Sequence, residues 1–290
     1  MRRRGLLAGV VLLAAALAAA LFAVERWGEA ARAGRETANG LAPPLTRPRG
    51  ESAVKSPIRR VAVIAALPSE LAPFVAKFGA MNKESLGDRP LFRGSLGDVE
   101  VLATRTGMGT DFATEVTDRV LDRYEVDHVI AIGIAGGVQG VEIGDVLTPS
   151  LVINGDDGSE YVPTAPPGII PRGKLRTSKH FSAEKGLLAR LASEGINAVD
   201  METAAIGASA QRHQCSWSVY RAISDRASDE LVDSEIFGMA KPDGSPDYRA
   251  ALRFIARRPW MLPRLIRIGR DAQRAAVAAA EAALQELRGA

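Results

Sequence analysis

The chain has 290 residues, 47% hydrophobic and 24% charged, a composition that suits one large folded domain with appendages or two small domains. A formal net charge of +3 is too small to argue for nucleic acid as a partner. The single cysteine, Cys215, excludes an internal disulfide, a cysteine-based zinc cluster and a CxxC redox motif.

Arg2-Arg3-Arg4 precedes an uncharged apolar run over 5–24 that stops at Glu25. Its length suits a membrane-spanning helix or a long signal peptide cleaved after Ala18-Ala19-Ala20, and Arg3-Arg4-Gly5-Leu6-Leu7 loosely resembles a twin-arginine export signal. Arginines on that side predict that the rest of the chain lies outside the cytoplasm, anchored or exported to the periplasmic side. A misassigned start would instead leave the protein cytoplasmic, since a globular pattern begins only near Ile58. Residues 25–57, rich in Arg, Glu, Gly, Ala and Pro, are expected to form a short helix and a flexible linker before a domain over 58–290.

In that domain the β-branched run over 58–67 suits a buried strand, and Pro68-Ser69-Glu70-Leu71 opens an amphipathic helix. Glu70 therefore sits where a strand hands over to a helix. A second strand over 99–106 leads through Gly107-Met108-Gly109 into a helix over 110–124. A third, over 126–134, is expected to end in Ala135-Gly136-Gly137. These glycines let backbone approach a ligand closely or simply make tight turns. None completes a P-loop or a dinucleotide fingerprint, so no cofactor is expected, and no metal.

After Val152 a loop with Asp156-Asp157-Gly158 and prolines between 163 and 171 leads to a strand over 174–177. Helices over 183–193 and 204–211 and a strand over 216–223 follow. Strands alternating with helices, with glycines at strand carboxyl ends, indicate an α/β layered fold, whose ligands sit beyond those ends. The tail over 247–288 reads as helices broken at Pro259 and Pro263. In it Arg253, Arg257, Arg258, Arg264, Arg267 and Arg270 alternate with Phe254, Trp260, Leu262, Leu265 and Ile266. That face would meet anionic lipid, or is an ordinary solvated helix surface.

Val199-Asp200-Met201-Glu202 and Arg221-Ala222-Ile223-Ser224-Asp225 place carboxylates among apolar residues. A buried carboxylate needs a partner or a task, and burial raises its pKa toward that of a general acid. The plainer alternative has Asp200 capping a helix and Asp225 starting a turn.

Taken in order over roughly 58–229, these segments resemble the nucleoside phosphorylase and nucleosidase superfamily, above all its methylthioadenosine/S-adenosylhomocysteine nucleosidase branch. Five motifs carry the likeness: the strand-turn-Glu ending at Glu70; Thr106-Gly107-Met108-Gly109; Gly133-Ile134-Ala135-Gly136-Gly137 with Ile143-Gly144-Asp145-Val146; Val199-Asp200-Met201-Glu202; and Arg221-Ala222-Ile223-Ser224-Asp225. The resemblance implies a three-layer α/β/α fold with a central mixed, partly barrel-like sheet, here preceded by an N-terminal hydrophobic helix, and a homodimer.

It also implies cleavage of a purine N-glycosidic bond in a 5′-modified adenosine. Asp225 would protonate the purine N7, positioned by Ser224, and Glu70 would deprotonate the attacking water. Glu202 would accept bonds from ribose hydroxyls, Met201 would pack on the ribose, and Arg221 would orient Glu202 or a hydroxyl. Thr106, Gly107 and Gly136 would approach the ligand, and His180 and Phe181 would lie by the adenine. The Gly-Asp-Pro-x-Arg phosphate turn of phosphorylases is absent, which favours water over phosphate, although phosphate stays an alternative.

The chain departs from the branch at Asp200 in place of Glu, at Thr106 in place of Ser, and in Ser224-Asp225-Arg226-Ala227-Ser228-Asp229, which lacks an acid usually found at the fourth position. The segment 238–245 and Arg257-Arg258-Pro259-Trp260 look more like the hopanoid-associated phosphorylases, whose substrate is an adenosylated membrane lipid. A catalytically silent nucleoside sensor is the remaining alternative. Retention of Glu70, Glu202 and Asp225 argues against it.

Overall fold

The computed structural model describes residues 58–179, 185–226, 241 and 247–289. β1 (Arg60–Ala65) leads into α1 (Pro68–Phe78), and a hairpin of β2 (Asn82–Leu86) and β3 (Arg89–Leu96) precedes β4 (Val99–Arg105). Then come α2 (Thr110–Arg123), β5 (His128–Gly137), β6 (Val146–Leu147), β7 (Leu151–Asn154), β8 (Glu160–Tyr161) and β9 (Lys174–Thr177). α3 (Lys185–Ser193), β10 (Ile196–Asp200), α4 (Thr203–Arg212) and β11 (Ser216–Arg226) complete the core. The tail forms α5 (Tyr248–Arg257), a 3-10 turn (Pro259–Met261) and α6 (Leu262–Gly289).

β1 is buried on both faces, which requires cover on both sides. Val61, Val63 and Ala65 pack with Leu71 and Phe74 of α1 and with Ala275, Ala279, Ala283 and Leu287 of α6. Ala62 and Ile64 share the opposite core with Val116 and Val120 of α2 and with Ile206 and Ala210 of α4. Two helical layers thus enclose one sheet, the expected three-layer architecture. Gly207 of α4 is there for space, because a Cβ would lie 2.6 Å from the Trp217 ring.

Among the described residues the mixed sheet has eleven strands in the order β2-β3-β4-β1-β5-β10-β9-β7-β8, with β11 on β5 and β6 on β11. β5 is its hub. Val61 to Ile64 of β1 pair parallel with its first half, from His128 to Ala131. Its last two residues, Gly136 and Gly137, pair antiparallel with β10. β11 runs parallel along its whole length. A strand that leaves one neighbour and takes another must swing away from the first, which curls the sheet into its partly barrel-like form.

Three expectations need correction. Ala135-Gly136-Gly137 is no turn, because these residues stay in β5, paired with Ile223, Asp225 and Arg226 of β11. Nor does Asp225 start one, since β11 continues through it to Arg226. Pro263 does not break the tail: it lies in the first turn of α6, where its missing N–H has no intrahelical partner to lose. The expected N-terminal hydrophobic helix lies outside the described residues. Among those described, no helix is long and apolar enough to cross a membrane.

At the amino ends of β5 and β11, a polar cluster ties α6 to the sheet. His128 Nδ1 is 2.7 Å from Ser216 Oγ, and Nε2 is 3.0 Å from Ser218 Oγ and 3.1 Å from Glu286 Oε1. Ser216 donates to the Asp127 carbonyl and Ser218 to Glu286 Oε2. Through these bonds His128 and Glu286 hold the last turns of α6 against β5 and β11.

Candidate active site

The carboxyl ends of β1, β5, β10 and β11 bring four carboxylates, Glu70, Asp200, Glu202 and Asp225, and one arginine together. Glu70 reaches its place because α1 starts directly after β1, with Pro68 at its first position. Its Oε2 accepts from the amides of Ala66 (2.9 Å) and Leu67 (2.8 Å), and Oε1 from the amide of Ile134 on β5 (2.9 Å). Burial raises its proton affinity above the ordinary carboxylate range, opposed by the Arg221 charge and by those three amides.

Arg221, on β11, is fully buried. It pairs with Asp200 Oδ2 at 2.9 Å, lies 3.9 Å from Glu70 Oε1, and donates through Nε to Thr203 Oγ1 at 2.8 Å. Burial opposes its charge, but Asp200, Glu70 and Glu202 more than offset this and hold it cationic. The backbone opposite must be glycine, because a Cβ on Gly133 would lie 2.0 Å from Arg221 Nη1 and 2.7 Å from Glu70 Oε1.

Asp200, at the end of β10, accepts from Thr177 Oγ1 (2.6 Å), from the Thr203 amide (3.1 Å) and from the Thr203 hydroxyl. Asp200 does not cap α4, whose N-cap is Glu202; it ends β10, bonds the Thr203 amide three residues on, and pairs with Arg221. Glu202 follows two residues on. Its Oε1 accepts from the Gly109 amide at 2.7 Å, a bond joining the second glycine motif to the acidic cluster across 93 residues. Burial first, then the Asp200 and Glu70 charges, push Glu202 up to about 8, with Arg221 and the Gly109 amide pulling the other way.

Ser224 and Asp225 stand at the end of β11. Ser224 Oγ donates to Asp225 Oδ1 at 2.5 Å, and a Cβ on Gly136 would lie 3.6 Å from Asp225 Oδ2. Asp225 is partly exposed, so it can meet a ligand. Met201 is half-buried between Asp200 and Glu202. Gly107 is buried at φ +99°, its amide bonded to the Ala66 carbonyl at 2.9 Å. Thr106 is fully buried and donates its hydroxyl to the Gly107 carbonyl at 2.7 Å.

Of the residues singled out in the sequence, Glu70, Glu202 and Arg221 thus share one charged cluster, and Thr106, Gly107 and Gly136 line its backbone. Arg221 orients the Thr203 hydroxyl and binds Asp200; it touches Glu202 through charge alone. His180 and Phe181 lie outside the described residues, as does all of 238–245 except Lys241. Thr177 and Thr203 escaped sequence reasoning. Thr203, three residues after Asp200, carries a local signal, whereas Thr177 reaches Asp200 only through the register of β9 on β10.

Residues 60–191, which hold β1 to β9 of this sheet and Glu70, match the phosphorylase superfamily. The match includes Glu70, Thr106 and Gly136 and stops before Glu202. Among the relatives is 5′-methylthioadenosine/S-adenosylhomocysteine nucleosidase of Bacillus thuringiensis (strain Al Hakam), 27% identical over 202 residues, covering 59% of this chain and 87% of the relative. The nucleosidase of that name from Neisseria meningitidis, solved with methylthio-immucillin-A, has a TM-score of 0.62 at 18% identity, over 80% of this chain and 100% of the other. Futalosine hydrolase of Helicobacter pylori has the same fold, with a TM-score of 0.60 at 16% identity, over 80% of this chain and 98% of the other.

Proposed function

We propose that this protein hydrolyses the N-glycosidic bond of a 5′-modified adenosine, methylthioadenosine or S-adenosylhomocysteine, and releases adenine. The match to the phosphorylase superfamily and the likeness to nucleosidases support an enzyme of purine nucleoside cleavage, nucleosidase or phosphorylase. The observation that carries the finer reading is the convergence of Glu70, Glu202 and Arg221 in one buried cluster, with Ser224-Asp225 at the neighbouring strand end.

In this mechanism the bond between the ribose carbon and the purine nitrogen breaks, and its electron pair passes to the base. Asp225, held by Ser224, delivers a proton to N7, so adenine leaves neutral. The ribosyl cation forms beside Glu202, whose carboxylate accepts the ribose hydroxyls and favours the developing charge. Glu70 takes a proton from water as its oxygen attacks that carbon. Burial suits Glu70 to the task, because a base of raised pKa is stronger once ionised. Arg221 is already committed to Asp200 and Glu70, and the surrounding carboxylates would repel a phosphate dianion. This favours water as the nucleophile.

The test is adenine release by the full-length protein from methylthioadenosine and S-adenosylhomocysteine, with and without phosphate. Release without phosphate is expected, and Asp225→Asn should lower kcat by roughly 100-fold to 10,000-fold. A requirement for phosphate would make the enzyme a phosphorylase. A folded protein that binds adenine but releases none would be a sensor.

A further inference from the structure

The tail presents a surface that the nucleosidase chemistry leaves unused. Between Asp247 and Arg274 the chain carries eight arginines, and its only acids are Asp247 and Asp271. Arg249, Arg253 and Arg257 recur every fourth residue of α5, so they form one stripe, and all three are exposed. Leu252 lies in that stripe and is exposed as well, while Phe254 and Ile255 face inward. α6 begins the same way: Ile266, Arg267, Arg270 and Arg274 share its exposed side. Between the two helices stands Trp260, 71% exposed, the most exposed tryptophan that the structure describes.

A solvated helix face explains arginines but not an open tryptophan flanked by exposed Leu252 and Ile266, whose apolar surface gains nothing from water. Nucleic acid would accept the arginines and could stack on the tryptophan, yet it offers nothing to the two aliphatic side chains. An interfacial bilayer site satisfies all three classes at once: phosphates for arginine, the headgroup boundary for tryptophan and the acyl edge for leucine and isoleucine. The apolar run over 5–24 has the length of a membrane-spanning helix, and as an anchor would tether this domain beside such a surface.

We propose that the outer face of residues 248–274 docks on a bilayer containing anionic phospholipid, with Trp260 seated at the headgroup level. The proposal is independent of the reaction assigned to the site.

The experiment uses the full chain with Trp27→Phe, reconstituted into vesicles of phosphatidylcholine alone or with one third phosphatidylglycerol, both carrying brominated acyl chains. Trp217 is buried and serves as a constant background. Quenching of Trp260 is expected in the anionic vesicles, absent in the neutral ones and reversed by salt. Each of Arg253→Gln, Arg257→Gln, Arg267→Gln and Arg270→Gln should lower the docked-to-free ratio about fivefold. Trp260→Phe should abolish the signal and leave adenine release unchanged. Equal quenching in both vesicle types would mean that the apolar run alone sets membrane proximity, and would overturn the proposal. So would no quenching in either, or a Trp260 emission change on adding short RNA without lipid.

Discussion

Glycine at position 133 and the protons of Glu202 show how tightly single residues are specified here. A methyl group on Gly133 would overlap the Arg221 guanidinium and the Glu70 carboxylate. Gly133→Ala should therefore cost about 1–3 kcal/mol in denaturant unfolding and lower kcat, by forcing apart groups that must stay in register. Glu202, pushed up to about 8, holds a proton near neutrality in the free enzyme. If its carboxylate is what favours the ribosyl cation, kcat/KM should rise with pH toward about 8. In Glu202→Gln that limb should vanish and the activity fall, a profile that steady-state kinetics across pH 5 to 9 would resolve. These protonation states could not be read from the sequence, since they depend on neighbours from other strands. That carboxylates would gather was legible, because Asp, Glu and Arg stand in otherwise apolar runs.

Elements place these residues, and most were legible. The strand over 174–177 agrees with β9 to the residue, and α1, α2 and α4 begin at or within one residue of the expected positions. The local signals there were strong: proline at a helix start, glycine before one, β-branched runs. The hairpin of β2 and β3 went unread because β2 is exposed except at Leu86, so no apolar alternation marks it. Partners set the ends of β5 and β11, each prolonging the other past its glycines or polar residues. The hold of α6 on the sheet depends on partners too, since the His128–Glu286 pair joins residues that no local pattern connects. Glu286→Ala takes a hydrogen-bond acceptor from both His128 and Ser218 and should cost about 1–3 kcal/mol in thermal or denaturant unfolding. Lys77→Ala, which breaks the exposed Lys77–Glu281 pair elsewhere on α6, should cost well under about 1 kcal/mol.

At the scale of the whole molecule, the buried carboxylates give stability a pH dependence of definite sign. Glu202 has an ordinary value of 4.5 when unfolded and about 8 when folded, so between these the folded state binds more protons. Stability from this group is fully present below 4.5 and is lost as pH rises toward 8; Glu70 acts in the same direction. The melting temperature of the ligand-free protein should thus fall less steeply over this range in Glu202→Gln than in the parent. The same assembly also has a history in time. Glu70 belongs to the first described helix and Arg221 to the last strand of the sheet, so a chain leaving the ribosome carries the buried carboxylate long before the guanidinium that balances it. Ser224 and Asp225 come beside Ala135 and Gly136 only when β11 settles along β5. Under the proposed mechanism, a chain cut short before residue 216 should therefore release no adenine.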